Sequence, residues 1–175
     1  MATVKDIDRG WKRIMREVEL MKGSHVNVGV LSDAPKAEGD LNMARLATIQ
    51  HFGASIKVTD KMRAWFHFQD VHLSRGKTTI NIPARPFMSQ AFDKNIDAIH
   101  RFTQRRQDAI YGGSADTRSA LNDIGVFFVG KVQDIFTSGN FVPNAPLTRL
   151  LKKSTRPLID SGRLASSIKH EVIIK

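Results

Sequence analysis

Apolar residues recur at three- and four-residue spacing from the start of the chain. Val4, Ile7, Trp11, Ile14, Met15, Val18 and Met21 fall on one helix face, while Lys5, Asp8, Lys12 and Glu19 face water. Gly23 supplies a left-handed stop. The period then changes to two: Val26, Val28 and Val30 alternate with Asn27 and Gly29 across His25 to Leu31, as in a half-buried strand. A polar, turn-rich stretch from Asp33 to Gly39 leads to Asn42, which caps a short helix carrying Met43, Leu46, Ala47 and Ile49 and ending at Phe52-Gly53. Ser55 to Val58 and Thr78 to Ile82 read as short strands. Between them, Thr59 to Lys77 has no steady period. Trp65, Phe66, His67 and Phe68 favour a strand, whereas Lys61, Arg63, Arg75 and Gly76 favour an exposed loop, so 59–77 is expected to be an extended, partner-contacting loop.

Pro83 and Pro86 bracket the next change. Proline fixes φ and cannot donate to a sheet ladder, so Pro83 ends the strand and Pro86 opens a helix, a geometry expected to send Arg85 outward and Phe87 inward. Met88, Phe92, Ile96, Ile99 and Phe102 form the buried stripe of a helix that runs to about Tyr111, roughly 39 Å at 1.5 Å per residue, before Gly112-Gly113 breaks it. A second helix, capped by Asp116, carries Leu121, Ile124, Phe128, Val132 and Ile135 to Ser138-Gly139. The short link predicts an antiparallel hairpin of about 86–111 and 116–138. Beyond Asn140 come a proline-bounded loop, a short helix from Leu147 to Lys153, and an extended lead-in at Pro157. Asp160 or Ser161 then caps a helix in which Leu164 and Ile168 share a face, stapled by Leu158 or Ile159, and His170 to Lys175 reads as a final strand. The whole is an α+β fold: a small, mostly antiparallel sheet packed with long helices, in a single domain over 1–175 with a basic C-terminal region at 140–175.

Composition narrows the chemistry. With 175 residues and 41% hydrophobic content, the chain can bury one real core. It has no cysteine, which excludes disulfides, thiolate zinc sites and cysteine nucleophiles. No signal-peptide pattern or membrane-length apolar run is present, so a cytosolic protein with no membrane association is expected. The net charge of +10 attracts nucleic acid or acidic partners without distinguishing them. Part of the excess is concentrated where Arg149, Lys152, Lys153, Arg156, Arg163 and Lys169 face the single acid Asp160; a merely solvated basic face is the plain alternative.

A search for catalytic groups ends without a candidate. The histidines, His25, His51, His67, His72, His100 and His170, have no metal-binding helix spacing. Gly112-Gly113 lacks the lysine and strand context of a phosphate loop, and Ser161-Gly162 is no nucleophile elbow. The acids are dispersed, and the Asp93/Asp97 pair on one helix face serves to solvate it. No enzyme activity, cofactor or metal is expected. The aromatics fall mostly at core-periodic positions, not among the basic residues.

Two segments remain: Ile82-Pro83-Ala84-Arg85-Pro86-Phe87-Met88 and Pro157-Leu158-Ile159-Asp160-Ser161-Gly162-Arg163-Leu164. In this order, separated by a long helical region, they resemble the hallmark segments of tail-completion and virion-morphogenesis proteins of tailed bacteriophages, the group related to lambda tail protein Z. The Val28-Gly29-Val30 strand and the helix end Ala47-Thr48-Ile49-Gln50-His51-Phe52-Gly53 are similar too, although His51 stands where such proteins commonly carry a glutamate. The resemblance implies a structural virion protein that completes the tail or joins it to the head. Its α+β subunits would close into a ring, commonly of six, around the DNA channel. The implied neighbours are head–tail connector and tail-terminator or tail-tube proteins, with packaged DNA held non-specifically. The implied location is the tail or neck of the virion, after assembly from the host cytoplasm. Arg85, Phe87, Arg163 and Asp160 are then candidate assembly-interface residues, with a pairing of Arg163 and Asp160 inside the subunit as one option. Arg149, Lys152, Lys153 and Arg156 are candidate contacts to the DNA channel or to an acidic partner. A sequence-independent DNA-binding protein is the alternative.

Overall fold

The computed structural model describes residues 8–31, 42–151, 156–159 and 161–175. Its centre is a helical hairpin of α4 (Phe87–Tyr111) and α5 (Thr117–Ser138). Gly113, at φ 86°, makes the left-handed turn between them. A reciprocal cap starts α5: the Asp116 carboxylate accepts from Ser119 N at 2.7 Å, and Ser119 Oγ accepts from Asp116 N at 3.2 Å. The hydrogen bond from Ser119 N also lowers the Asp116 pKa, since it favours the ionised form. The expected hairpin is thus present nearly to the residue.

On α5 lies an antiparallel ribbon of β1 (His25–Val30) and β4 (Ile168–Ile173), with Val30 opposite Ile168 and His25 opposite Ile173. The ribbon approaches closely because Gly125 has no side chain: a Cβ there would lie 2.5 Å from the His170 ring. Before the hairpin come α1 (Trp11–Met21), α2 (Met43–Phe52), the strands β2 (Ala54–Lys57) and β3 (Thr79–Ile82), and α3 (Asp60–Phe68) between those strands; after it come α6 (Pro146–Leu151) and α7 (Arg163–Ser166). The core gathers Met43 and Ala47 of α2, Phe87 and Ala91 of α4, Val132, Ile135 and Phe136 of α5, and Leu158, Leu164 and Ile168 from the C-terminal region. The fold is α+β, with the strands in two separate ribbons instead of one sheet.

Three expectations need correction, besides the buried stripe of α4, in which Phe92 and Ile96 are exposed instead. First, 59–77 is not one extended loop. Thr59 Oγ1 accepts from Met62 N and starts α3, so Trp65 to Phe68 are helical. The remainder of the segment is tied down by Arg63, whose guanidinium donates to the carbonyls of Leu73, Ser74, Arg75 and Lys77. Second, the helix expected after Asp160 is the four-residue α7, led by Gly162 in a left-handed conformation with no side-chain cap, and Ile168 begins β4. Asp160 itself lies outside the described residues. Third, the stripe of α1 is only partly covered, because Trp11 and Met15 are exposed; Val4 and Ile7 fall outside the described residues.

Besides the part-buried Ile14, Val18 and Met21, two polar contacts hold α1. Arg13 Nη2 donates to Ile110 O at 3.1 Å, at the C-terminal end of α4, and the buried Glu17 carboxylate accepts from Thr117 N at 2.8 Å, at the N-terminal end of α5. A cation meets the negative end of one helix dipole and an anion the positive end of the next.

Candidate assembly site

The first signature segment is a junction. Phe87 N donates to Arg85 O at 2.7 Å across Pro86, whose φ of −74° and ψ of 68° make an inverse γ-turn. This tight reversal carries residues 85 and 87 to the same side, so the expectation that Arg85 points outward is wrong. Arg85 is 5% exposed and Phe87 2%.

Arg85 therefore binds within its own subunit. Nη1 donates to Gln50 Oε1 at 3.0 Å, Nε to Val142 O at 3.0 Å, and Nη2 to Asn144 Oδ1 at 3.2 Å and Pro143 O at 3.4 Å. Its own backbone N–H donates to Gln50 O at 2.9 Å. All four acceptors around the guanidinium are neutral, and burial, which disfavours the charged form, lowers its pKa. Asn144, also buried, passes the connection on: its Nδ2 donates to Arg156 O at 3.3 Å. One side chain thus joins the end of α2, the start of α4, the 141–144 loop and the C-terminal region.

Phe87 is a core anchor. Its ring meets Phe136 at 5.0 Å between centroids and the edge of His51 at 5.2 Å. His51 also meets the exposed Phe52 at 4.5 Å, and its buried Nδ1 has no hydrogen-bond partner among the described residues. Burial lowers the His51 pKa, because it disfavours the charged ring. Beside them opens an apolar cavity of about 300 Å³, lined in part by Ala47, Met88 and Ile168. As surface contacts, then, Arg85 and Phe87 are ruled out by burial; they support whatever surface the junction carries.

That surface is a lobe. Gly53, at φ 77° and ψ 173°, lets α2 pass so close to β3 that a Cβ there would stand 2.7 Å from Ile82 O and 2.9 Å from Ala84 N. Immediately beyond, β2 and β3 pair, with Ala54 opposite Ile82, and α3 rides between their far ends without one buried residue. Trp65 is 51% exposed, Phe68 84% and Ile56 37%. The segment left unassigned by its period is the one that presents the most aromatic surface.

The other candidates are spread out. Arg163 is exposed at the start of α7, and Arg149 is exposed on α6. Arg156 is exposed and reaches the Arg85 cluster through its carbonyl. Lys152, Lys153 and Asp160 lie outside the described residues. Elsewhere, on the hairpin, Phe102 and Phe127 stack at 4.5 Å and 5°, with Arg105 and Arg106 each 5.6 Å from the Phe102 ring and Lys131 5.4 Å from Phe127. Aromatic and basic groups are interleaved here, contrary to the sequence reading.

Sequence reasoning missed Gln50, Asn144, Glu17 and Arg63. Only Asn144 carried a signal: it sits between Pro143 and Pro146 in a rigid loop whose carbonyls no ladder would satisfy. Among the described residues, no cluster of three or more His, Asp or Glu side chains could hold a metal ion, and no helix is long and apolar enough to cross a membrane. No family model, curated protein or solved structure matches the chain.

Proposed function

We propose that this chain is a structural subunit of a tailed-bacteriophage virion, closing into a ring that completes the tail or joins it to the head. The observation that carries this reading is the lobe: an aromatic surface built on a rigid root, between the 47–53 and 82–88 segments that resemble the phage proteins. A solitary subunit gains nothing from holding Trp65 and Phe68 in water, since large apolar patches mark association sites. A ring needs two different faces per subunit, one meeting the other on the next copy. Six copies, adjoining connector and tail-terminator or tail-tube proteins, and a virion location follow from the resemblance. Negative-stain imaging and native mass spectrometry of the purified protein test the reading. Closed rings of uniform copy number are expected; a strictly monomeric protein at assembly concentrations would refute it.

A sequence-independent DNA-binding role is the second reading, favoured by the Phe102–Phe127 stack with its three cations. Anisotropy titrations on mixed-sequence DNA separate the two. Binding by the isolated protein that weakens steeply with salt supports DNA as the primary partner.

A further inference from the structure

Outside the lobe, large apolar side chains are also open on α1, at Phe52, at Tyr111 and on the hairpin, and those of α4, Phe92 and Ile96, stand where cavities open as well. Along β1 and α4 two apolar cavities follow one another. The first lies by Val30, Phe87 and Met88, and the second, of about 170 Å³, by Val26, Val28, Phe92 and Ile99, with Ile124 and Phe128 of α5 also lining it. A cavity of about 150 Å³ accommodates one benzene-sized ring. At this mouth Phe92 is 44% exposed and Ile96 39%. One position further round the helix, Asp93 and Asp97 are exposed beside them, whereas Lys94 falls on the far side.

The exposed face of α3 has the opposite charge and the matching shape. Lys61, Trp65 and Phe68, spaced by four and three residues, share one helical stripe. The lobe from 54 to 82 carries five basic side chains, Lys57, Lys61, Arg63, Arg75 and Lys77, against the acids Asp60 and Asp70. A basic helix with aromatic anchors at such spacing is suited to an apolar groove with an acidic rim.

We infer that the trough between β1 and α4 receives α3 of a second copy of this chain, with Phe68 or Trp65 entering the 170 Å³ cavity and Lys61 facing Asp93 and Asp97. The contact is heterologous: lobe and trough are different surfaces of one subunit, so each copy offers one of each and the chain of contacts continues until it closes. This rests on the ring reading and names the two faces that make it.

Two double variants of the full chain test it: Trp65→Ser/Phe68→Ser, which blunts the lobe, and Phe92→Ser/Ile96→Glu, which spoils the trough. All four positions are at least 39% exposed, and unchanged thermal unfolding confirms that each variant folds. In sedimentation velocity, each variant alone is expected to associate at least about tenfold more weakly than the wild type. Mixed together, they are expected to form a one-to-one complex and nothing larger, since one intact lobe and one intact trough remain. The absence of native cysteine permits a second readout: Phe68→Cys mixed with Phe92→Cys should give a disulfide-linked dimer, and neither protein alone should. Rings that persist in both double variants overturn this contact while leaving the ring reading standing. A wild-type protein that never associates overturns both, and mixed variants that stay monomeric beside an assembling wild type overturn the pairing of lobe with trough.

Discussion

Arg85 and Arg63 solve the same problem in opposite surroundings. Each directs its guanidinium at neutral oxygens: Arg85 at two carbonyls and two side-chain amides, Arg63 at four backbone carbonyls. Arg85 is buried at the junction of four segments, whereas Arg63 lies on the lobe among exposed partners. The difference lies in what water can repair. If Arg63 is removed, solvent can reach the carbonyls it leaves; if Arg85 is removed, the buried Asn144 amide and three part-buried acceptors lose their donor together, and leaving such groups unpaired costs more than the net value of the bonds. The buried arginine therefore governs whether the subunit folds, and the half-buried one governs the shape of a single loop.

The sharpest way to break the comparison is Arg85→Ala, which strands several acceptors at once and is expected to cost about 4 kcal/mol by urea denaturation. Arg85→Lys keeps the charge but not the planar fork, and recovery of full stability would show that charge, not geometry, is what the junction requires. Next comes Gly53→Ala at the same root. The new methyl would press on the Ile82 carbonyl and the Ala84 nitrogen from a backbone conformation reserved for glycine, for an expected loss of about 3 kcal/mol. Arg63→Ala should cost about 1 kcal/mol or less globally, yet speed proteolytic cleavage between residues 69 and 78; equal protease resistance would mean the four carbonyl contacts do not order that loop. The smallest effect belongs to His51. Its pKa is lowered on folding, so the unfolded chain binds the extra proton, and stability should decline as pH falls through about 6.5 and level off below the folded-state pKa. His51→Gln should flatten that part of the urea-midpoint profile, and an unchanged slope would assign it to other groups.

Local signals and distant ones differ in how well they can be read from the chain. The hairpin was legible because its determinants are neighbours in sequence: the apolar stripes, the Gly112-Gly113 break and the Asp116 cap. β1 and β4 were legible for the same reason, although their pairing across the whole chain was not. The helix at 60–68 was missed because four successive aromatic or histidine residues, Trp65 to Phe68, resemble a strand and mask the helical cap at Thr59. The direction of Arg85 was illegible because its partners stand 35 to 59 residues away, on segments whose proximity exists only in the folded chain. The proline pattern did locate the junction; the γ-turn that turns Arg85 inward follows from Pro86 ψ, which proline does not fix.

The clip on α1 has a consequence for the order of events in time. Arg13 and Glu17 find their partners 97 and 100 residues further along the chain. Ile110 is not in place until α4 has reached its end, and Thr117 not until the Gly113 turn has been made and α5 has begun. With few buried side chains of its own, α1 waits on a loop closure of 97 to 100 residues, exceeded by that of the β1–β4 ribbon. The first helix of the described chain to be synthesised is therefore among the last to dock, and in hydrogen exchange its amides should open well below the energy needed to unfold the hairpin.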